Sequence, residues 1–149
     1  MVTVPADAIN AAVGVAPVGA TKAALARAKR LAPERLEEPL VAARIAELEN
    51  ELLALELTAL RVVAHSADGE PHPASSVLKL KGTELQQAVT ELLVDLAGPA
   101  GLASGTAEGA LPDWVHRTVP TYLNYRKASI YGGSNEVQRQ IIARTILGL

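Results

Sequence analysis

The residues best suited to chemistry lie near the carboxyl end, in the stretch YGGSNE at 131–136. Two adjacent glycines favour a sharp turn. Ser134 is a short hydroxyl residue placed before a helical pattern, which is typical of an N-cap. Because exposed N–H groups at a helix start also attract anions, the turn is a candidate site for a phosphate. Glu136 falls in the first turn of that helix, where the helix dipole favours a carboxylate.

Residue types that usually catalyse reactions or bind metals are scarce elsewhere. The chain has no cysteine, which excludes disulfides, thiol catalysis and cysteine-based metal sites. His65, His72 and His116 are dispersed and have no partner at metal-ligand spacing, so we predict solvated histidines and no metal site. The stretch AVGVAPVG near the amino end lacks the lysine and the serine of a P-loop.

Composition favours one helical domain. The chain has 149 residues, of which 49% are hydrophobic, with three Tyr, one Trp and no Phe, so an aliphatic core is expected. The net charge is −2 and the Lys and Arg residues are scattered, so the sequence predicts no basic patch that would bind nucleic acid. Since neither a signal peptide nor an apolar run of about 18 residues occurs, we expect a soluble cytoplasmic protein without a membrane partner.

The apolar spacing predicts five helices, at about 18–31, 39–67, 75–97, 121–129 and 135–147. Pro33 ends the first helix and Pro39 suits the first turn of the second. Ser75 or Ser76 can cap the third helix, which Gly98 and the proline after it end. The Gly-containing region 100–120 is too long for an ordinary bundle connection, so we predict that it is either functional or partly mobile.

The second helix carries the strongest pattern, an apolar seam at alternating spacings of three and four formed by Ile45, Leu48, Leu52, Leu55, Ala59 and Val62. A second stripe beside it is formed by Leu53, Leu57, Leu60 and Ala64. We therefore predict that this helix is the centre of a bundle and is covered on two sides. The buried side of the first helix is predicted at Ala23, Leu25, Ala28 and Leu31, and that of the third at Leu78, Leu85, Ala88, Val89, Leu92, Leu93 and Leu96.

The string YRKASIYGGSNEVQRQIIARTILGL at 125–149 resembles the last helices of acyl-CoA dehydrogenases. That family commonly ends in Ile-Tyr-x-Gly-Thr/Ser-x-Glu/Gln-Ile/Val-Gln-Arg followed by an apolar helix, and every specified position is filled here. The stretches KLKGTELQQAVTELLVDLAGPAGL and RIAELENELLALELTALRVVA are similar to the two long helices before it. The resemblance is nearest to the bacterial large-subunit type, which acts on dicarboxylic, steroid side-chain or otherwise bulky acyl-CoA esters.

The resemblance implies an all-α fold, a four-helix up-and-down bundle with an extra C-terminal helix over residues 15–149, behind a lead-in over 1–14 that need not be ordered. It also implies FAD as cofactor and an acyl-CoA thioester as substrate. Whole members of the family carry an N-terminal helical domain and a middle β-domain as well, so this chain by itself is expected to be incomplete as a catalyst.

By the same resemblance, the family's flavin-contacting positions correspond to Gly133, Ser134, Glu136, Asp95 and Gly98, the last two serving the adenine end from a neighbouring subunit. Ser134 and Glu136 each keep a second interpretation, as N-cap and as dipole partner. Tyr131 either lines an acyl pocket or belongs to the core with its hydroxyl at the edge. Arg35 is a candidate replacement for an absent family arginine that grips the flavin.

The family's catalytic base is missing at both known positions. One position directly follows Tyr131 and is occupied by Gly132, which has no side chain, although a glycine pair before a helix is also an ordinary turn. The other falls on Ala11 when GVAPVGATK is aligned with the large-subunit type. No catalytic residue is therefore predicted.

Arg126 matches the arginine of a family Arg-Asp pair and is predicted to form a structural salt bridge.

Two functions stay open for the chain. It is either the C-terminal domain of an FAD-dependent acyl-CoA dehydrogenase or a non-catalytic helical assembly subunit related to that family. Both interpretations predict a homo-oligomer, dimer or tetramer, or a hetero-oligomer with a complete acyl-CoA dehydrogenase subunit, because an apolar face would otherwise be exposed. A helical interaction domain unrelated to flavin is disfavoured by the specific terminal motif.

Overall fold

The computed structural model describes residues 18–65, 72–102 and 111–149. Within these ranges the chain forms no strand and six α-helices: α1 (Val18–Leu31), α2 (Pro39–His65), α3 (Ser75–Ala97), the single turn α4 (Pro99–Leu102), α5 (Asp113–Tyr125) and α6 (Asn135–Ile142). Helices α1, α2, α3 and α5 form the bundle and α6 packs against α3. The predicted all-α bundle with an extra C-terminal helix is confirmed, whereas the lead-in 1–14 lies outside the described residues.

The boundaries of the first helices follow from local chemistry. Pro33 opens a short 3₁₀ turn, Pro33–Glu37, between α1 and α2, because proline suits a first turn and cannot continue the preceding helix. Helix α6 continues into a π-helical turn, Ala143–Leu147, so the predicted extent of the last helix is confirmed. None of the helices in the described ranges is both long and apolar enough to cross a membrane.

The main seam of α2 is buried as predicted. All six of its residues belong to the core, with Leu52 at 2% exposure. On α1 the buried positions are Val18, Thr21, Leu25 and Ala28. The predicted α1 face is therefore wrong at Ala23, which is exposed, and it missed Thr21, because the 18-21-25-28 spacing, and not side-chain polarity alone, sets the side that meets the neighbours.

The second stripe of α2 is exposed. Leu53, Leu57 and Leu60 have exposed fractions of 53%, 50% and 36%, and Ala64 is exposed as well. We call these four residues the α2 stripe. The prediction that α2 is covered on two sides is wrong within the described residues, because α1 and α3 both pack against its other side.

Helix α3, and not α2, is the centre of the bundle. It contacts α1, α2, α5 and α6. Its predicted buried face is confirmed at Leu78, Leu85, Val89, Leu92 and Leu96, with Ala88 and Leu93 half-buried against the core. A helix with four neighbours also buries polar positions, here Ser76, Thr83, Gln86 and Thr90. Because these buried positions are polar, the apolar pattern of the sequence did not indicate that α3 is the central helix.

One predicted helix start and one predicted helix cap are wrong. Helix α5 begins at Asp113 and not at Thr121, and it runs through Pro120. An internal proline removes one helical hydrogen bond, but burial of Val115 and Thr118 favours the helix here. Neither Ser75 nor Ser76 caps α3; instead the ring Nδ1 of His72 accepts the N–H of Ala74 at 3.1 Å. His72 and His116 are half-buried, so the predicted solvation is confirmed only in part for both.

The packing predicts a large difference between two leucines of α2. Leu52→Ala should lower the free energy of unfolding by about 2–5 kcal/mol, because a fully enclosed side chain leaves a cavity when it is truncated. Leu40→Ala, at a leucine that is 86% exposed, should change it by less than about 0.5 kcal/mol. Urea denaturation followed by circular dichroism measures both, and equal effects would contradict the placement of α2.

Candidate functional site

The glycine pair of the terminal motif forms a tight turn between α5 and α6. After α5 the chain passes through a 3₁₀ turn, Arg126–Ser129, and then through residues 130–134, which we call the terminal turn. Gly132 and Gly133 have φ of 66° and 89°, in the left-handed region that favours glycine. A Cβ on Gly133 would lie 2.7 Å from Nε2 of Gln138, whereas a Cβ on Gly132 would meet nothing within 4 Å. The left-handed φ thus favours glycine at both positions, and the space beside Gly132 is open.

Ser134 is the N-cap of α6. Its extended backbone, φ −63° and ψ 159°, lets Oγ accept the N–H of Val137 at 3.4 Å, which confirms the predicted cap. The pKa of Glu136 is lowered, first by the hydrogen bond from its own backbone N–H and then by the Ser134 hydroxyl. Both residues stabilise the start of the helix, and their flavin contacts stay predictions.

A buried polar junction fixes the start of α6 to α3. Asn135 is 8% exposed, and its Oδ1 accepts from Nζ of Lys79 at 3.1 Å and from Oγ1 of Thr83 at 3.2 Å. Lys79 also donates to the carbonyl of Ala128 at 3.3 Å, and desolvation lowers the pKa of Lys79. Sequence reasoning missed this junction. Its only local signal was a lysine and a threonine one turn apart on α3.

Arg126 has a structural role, but not the predicted one. Its Nη2 donates to the carbonyl of Gln87 at 3.1 Å, and its guanidinium carbon lies 4.2 Å from the centre of the Tyr122 ring. Nε2 of Gln87 donates in return to the carbonyls of Tyr125 and Arg126, each at 3.2 Å. In the described residues Arg126 therefore forms no salt bridge with a carboxylate; a carbonyl and an aromatic face take that place.

Tyr131 lies on the surface. It is 56% exposed and its neighbour Ile130 is 69% exposed. The alternative that placed Tyr131 in the core is therefore wrong for the described chain. Together with Val137, which is also exposed, these side chains give the terminal turn an apolar outer surface. A role for Tyr131 in lining an acyl pocket stays a prediction.

A second cluster of predicted site residues gathers at the carboxyl end of α3. Nη1 of Arg35 donates to the carbonyls of Asp95 and Leu96 at 3.3 and 3.4 Å, where the last turn of a helix leaves acceptors free. The N–H of Gly98 donates to the carbonyls of Val94 and Asp95, at 3.1 Å each. The structure thus brings Arg35, Asp95 and Gly98 together, although Arg35 is far from the other two in sequence.

The charged side chains of this second cluster, Asp95 and Arg35, both form ion pairs. The Asp95 carboxylate is paired with Arg44, which also lies 3.3 Å from Glu91. Arg35 is paired with Glu38, and this hydrogen bond is the main reason why the pKa of Arg35 is raised. Asp95 and Arg35 therefore hold α2 and the 3₁₀ turn against α3.

The two clusters lie at opposite ends of α3. Lys79 marks one end and Asp95 the other, and a rise of 1.5 Å per residue separates them by about 24 Å. A compact ring cannot contact both clusters of one chain.

The Ser134 hydroxyl stands at the start of α6, and a helix start is a position that favours an anion or a flavin oxygen. No carboxylate beside it is a good general base. Gly132 has no side chain, Ala11 lies outside the described residues, and the lowered pKa of Glu136 makes that carboxylate a weak base. The described part of the chain also has no group of three or more acidic, histidine or cysteine side chains that could hold a metal ion.

Comparison with known proteins gives concordant matches. The profile of the family described as acyl-CoA dehydrogenase, C-terminal domain, matches residues 9–147. Acyl-CoA dehydrogenase IpdE1 of Mycolicibacterium smegmatis is 34% identical over 113 residues, which cover 76% of this chain and 26% of that protein. Acyl-CoA dehydrogenase IpdE1 of Mycobacterium tuberculosis is 33% identical over 113 residues, which cover 76% and 28%.

This chain thus spans about a quarter of the length of these curated relatives. A solved structure, the ChsE4-ChsE5 complex from Mycobacterium tuberculosis, superposes with a TM-score of 0.73 at 24% identity. The match covers 91% of this chain and 37% of that one. At this identity the likeness supports the fold alone.

Loss of the Ser134 cap should weaken the terminal turn. Ser134→Ala removes the acceptor for the Val137 N–H, and we expect the free energy of unfolding to fall by about 1 kcal/mol. Ser134→Asp, which keeps an acceptor at the helix start, should restore most of the loss. Thermal and urea unfolding measure both variants; an alanine variant as stable as the parent would show that Oγ does not cap α6.

Proposed function

This chain belongs to the acyl-CoA dehydrogenase family through its C-terminal domain, and from this we propose that it is the helical domain of an FAD-dependent acyl-CoA dehydrogenase. The proposed reaction is the α,β-dehydrogenation of an acyl-CoA thioester. Bound FAD would supply the acceptor for the hydride that leaves the β-carbon. The described residues would bind and orient the reactants, and the chain would be incomplete as a catalyst on its own.

The observation that carries this proposal is the geometry of the terminal turn. Its glycine pair is tight, Ser134 caps α6, and Asn135 is tied to Lys79 and Thr83 of the central helix. A hydrogen-bonding surface must be held rigidly if it is to orient a cofactor. Ser134 and the backbone of Gly133 would hold the flavin ring, Glu136 would lie on its nucleotide side, and Tyr131 would line the acyl side.

We propose that the proton acceptor comes from outside the described residues. A base must lie within hydrogen-bond reach of the α-carbon proton and have a pKa near the working pH. Gly132 cannot accept a proton, and Glu136 has a lowered pKa. The base would then belong to another part of a longer protein or to a partner subunit.

The α2 stripe supports a further part of the proposal, assembly into oligomers. Leucines at 53, 57 and 60 repeat on one side of a long helix and are exposed, which is the pattern of a face that packs against another chain. We propose a homo-oligomer, dimer or tetramer, or a hetero-oligomer with a complete acyl-CoA dehydrogenase subunit, in the cytoplasm. The structural relative is a ChsE4-ChsE5 complex, which is compatible with the second form.

The main alternative is a helical assembly subunit that belongs to the family but has no catalytic role. The absence of a base at Gly132 and the internal pairing of Asp95 favour it. The two functions differ in one measurable property. A catalytic domain contributes to flavin retention through Ser134, and an assembly subunit does not.

The test is to purify the chain alone and after co-expression with a complete acyl-CoA dehydrogenase subunit, and to measure bound flavin by absorbance. We expect flavin only in the assembled form. Ser134→Val should weaken flavin retention about five- to tenfold through loss of one hydrogen bond. The control is Ser129→Ala, whose hydroxyl only donates to the carbonyl of Arg126 at 3.1 Å.

Equal flavin retention by the parent and Ser134→Val assemblies would reject the flavin contact and favour the assembly subunit. Turnover of acyl-CoA by the purified chain alone would contradict the proposal that it is incomplete.

The oligomer proposal is tested at the α2 stripe. Leu57→Glu places a charge in the middle of the stripe and should shift the protein to a smaller species in size-exclusion chromatography with light scattering, because a buried unpaired charge disfavours association. Leu40→Glu, on the same helix but outside the stripe, should leave the assembly unchanged. A parent chain that is monomeric at micromolar concentration would contradict the proposal.

A further inference from the structure

A cavity of about 480 Å³ lies between α1, α3 and α5. Helices α1 and α5 both pack on α3, and the cavity occupies the space between them. Its walls are mainly small and apolar, with Ala20, Ala24, Val89, Leu93 and Trp114 among the lining residues. The volume falls within the range of about 300–1,000 Å³ that is usual for small-molecule sites. No residue of the terminal turn lines it.

One buried polar atom in the wall of this cavity has no hydrogen-bond partner among the described residues. Gln86, on α3, is 7% exposed, and its Oε1 is buried with no hydrogen-bond donor among the described residues. Nearly all buried polar atoms in folded proteins have a partner, so an orphan acceptor in a cavity wall calls for an explanation. A bound molecule that donates an N–H or O–H would supply the missing bond.

Two positive charges line the same cavity. Arg27 of α1 and Arg117 of α5 are both exposed, and neither forms an ion pair with a described residue. The neighbouring cations of α1 behave differently, since Lys22 and Lys29 each lie 2.8 Å from a glutamate of α2. Asp113 lies one turn before Arg117 without pairing with it. The cavity therefore combines apolar walls, a buried acceptor and two cations.

From these three features we infer that the cavity binds a small amphipathic organic anion. The apolar body of the ligand lies against the alanine, valine and tryptophan walls. A donor group at its inner end reaches Oε1 of Gln86, and its anionic group lies between Arg27 and Arg117. This site is separate from the proposed flavin surface and does not depend on the proposed function.

The test uses two matched probes and the natural fluorescence of Trp114, the only tryptophan of the chain. The anion 8-anilinonaphthalene-1-sulfonate has an aromatic body, an N–H donor and a sulfonate; N-phenyl-1-naphthylamine has the same body and donor without the charge. We expect both to bind saturably and to quench Trp114. The anion should bind the parent chain at least fivefold more tightly than the neutral probe.

Variants assign the binding to the cavity. Arg27→Gln and Arg117→Gln should each weaken the anionic probe about five- to tenfold and leave the neutral probe unchanged. Arg144→Gln, which removes an exposed charge near the carboxyl terminus, is the matched control and should change neither. Ala24→Leu fills part of the cavity and should weaken both probes more than tenfold.

Gln86→Leu separates a ligand role from a structural role. Because the orphan acceptor is unfavourable in the empty cavity, its removal should raise the melting temperature while weakening both probes. A lowered melting temperature would show that Gln86 is a structural residue and would overturn the assignment of the inner end. Anionic binding that survives both arginine substitutions, or probe binding that Ala24→Leu does not affect, would overturn the site as a whole.

Discussion

The packing of α3 is the constraint on which the rest of the structure depends. Helices α1, α2, α5 and α6 all contact it, so one helix supplies an inner wall for four others. Leu78, Val89 and Leu92 of α3 are among the largest fully buried side chains and contribute hydrophobic stabilisation. Its polar residues then determine where the neighbouring turns and helix ends attach along α3. A helix in this position carries both kinds of residue, because it packs against four other helices.

The two ends of α3 bind different parts of the chain. At its amino end, Lys79 and Thr83 hold Asn135, and through it the terminal turn with the Ser134 cap. At its carboxyl end, Arg35 binds free carbonyls and Asp95 pairs with Arg44. Both ends therefore use their polar groups in contacts within the chain, and these contacts fix the neighbouring elements to α3.

The α2 stripe and the cavity are the two places where the described chain leaves an unfavourable surface uncovered. Exposed leucines on a long helix lose the hydrophobic stabilisation that their neighbours at 52 and 55 gain. An orphan carbonyl oxygen at Gln86 loses the hydrogen bond it would have in water. The first favours another protein chain because it is long and convex, and the second favours a small molecule because it is concave and lined by charge.

The sequence by itself determined the helices whose boundaries have a local cause, such as Pro33, Pro39 and Gly98, and it also determined the Ser134 cap and the family to which the terminal motif belongs. Only the tertiary structure decided which of two equivalent stripes on α2 is covered, that α3 is central, and that α5 begins at Asp113 despite Pro120. It alone joined Lys79 to Asn135 and Arg35 to Asp95. The physical reason is range: caps and periodicity act within a few residues, whereas burial depends on how many neighbours reach a given side of a helix.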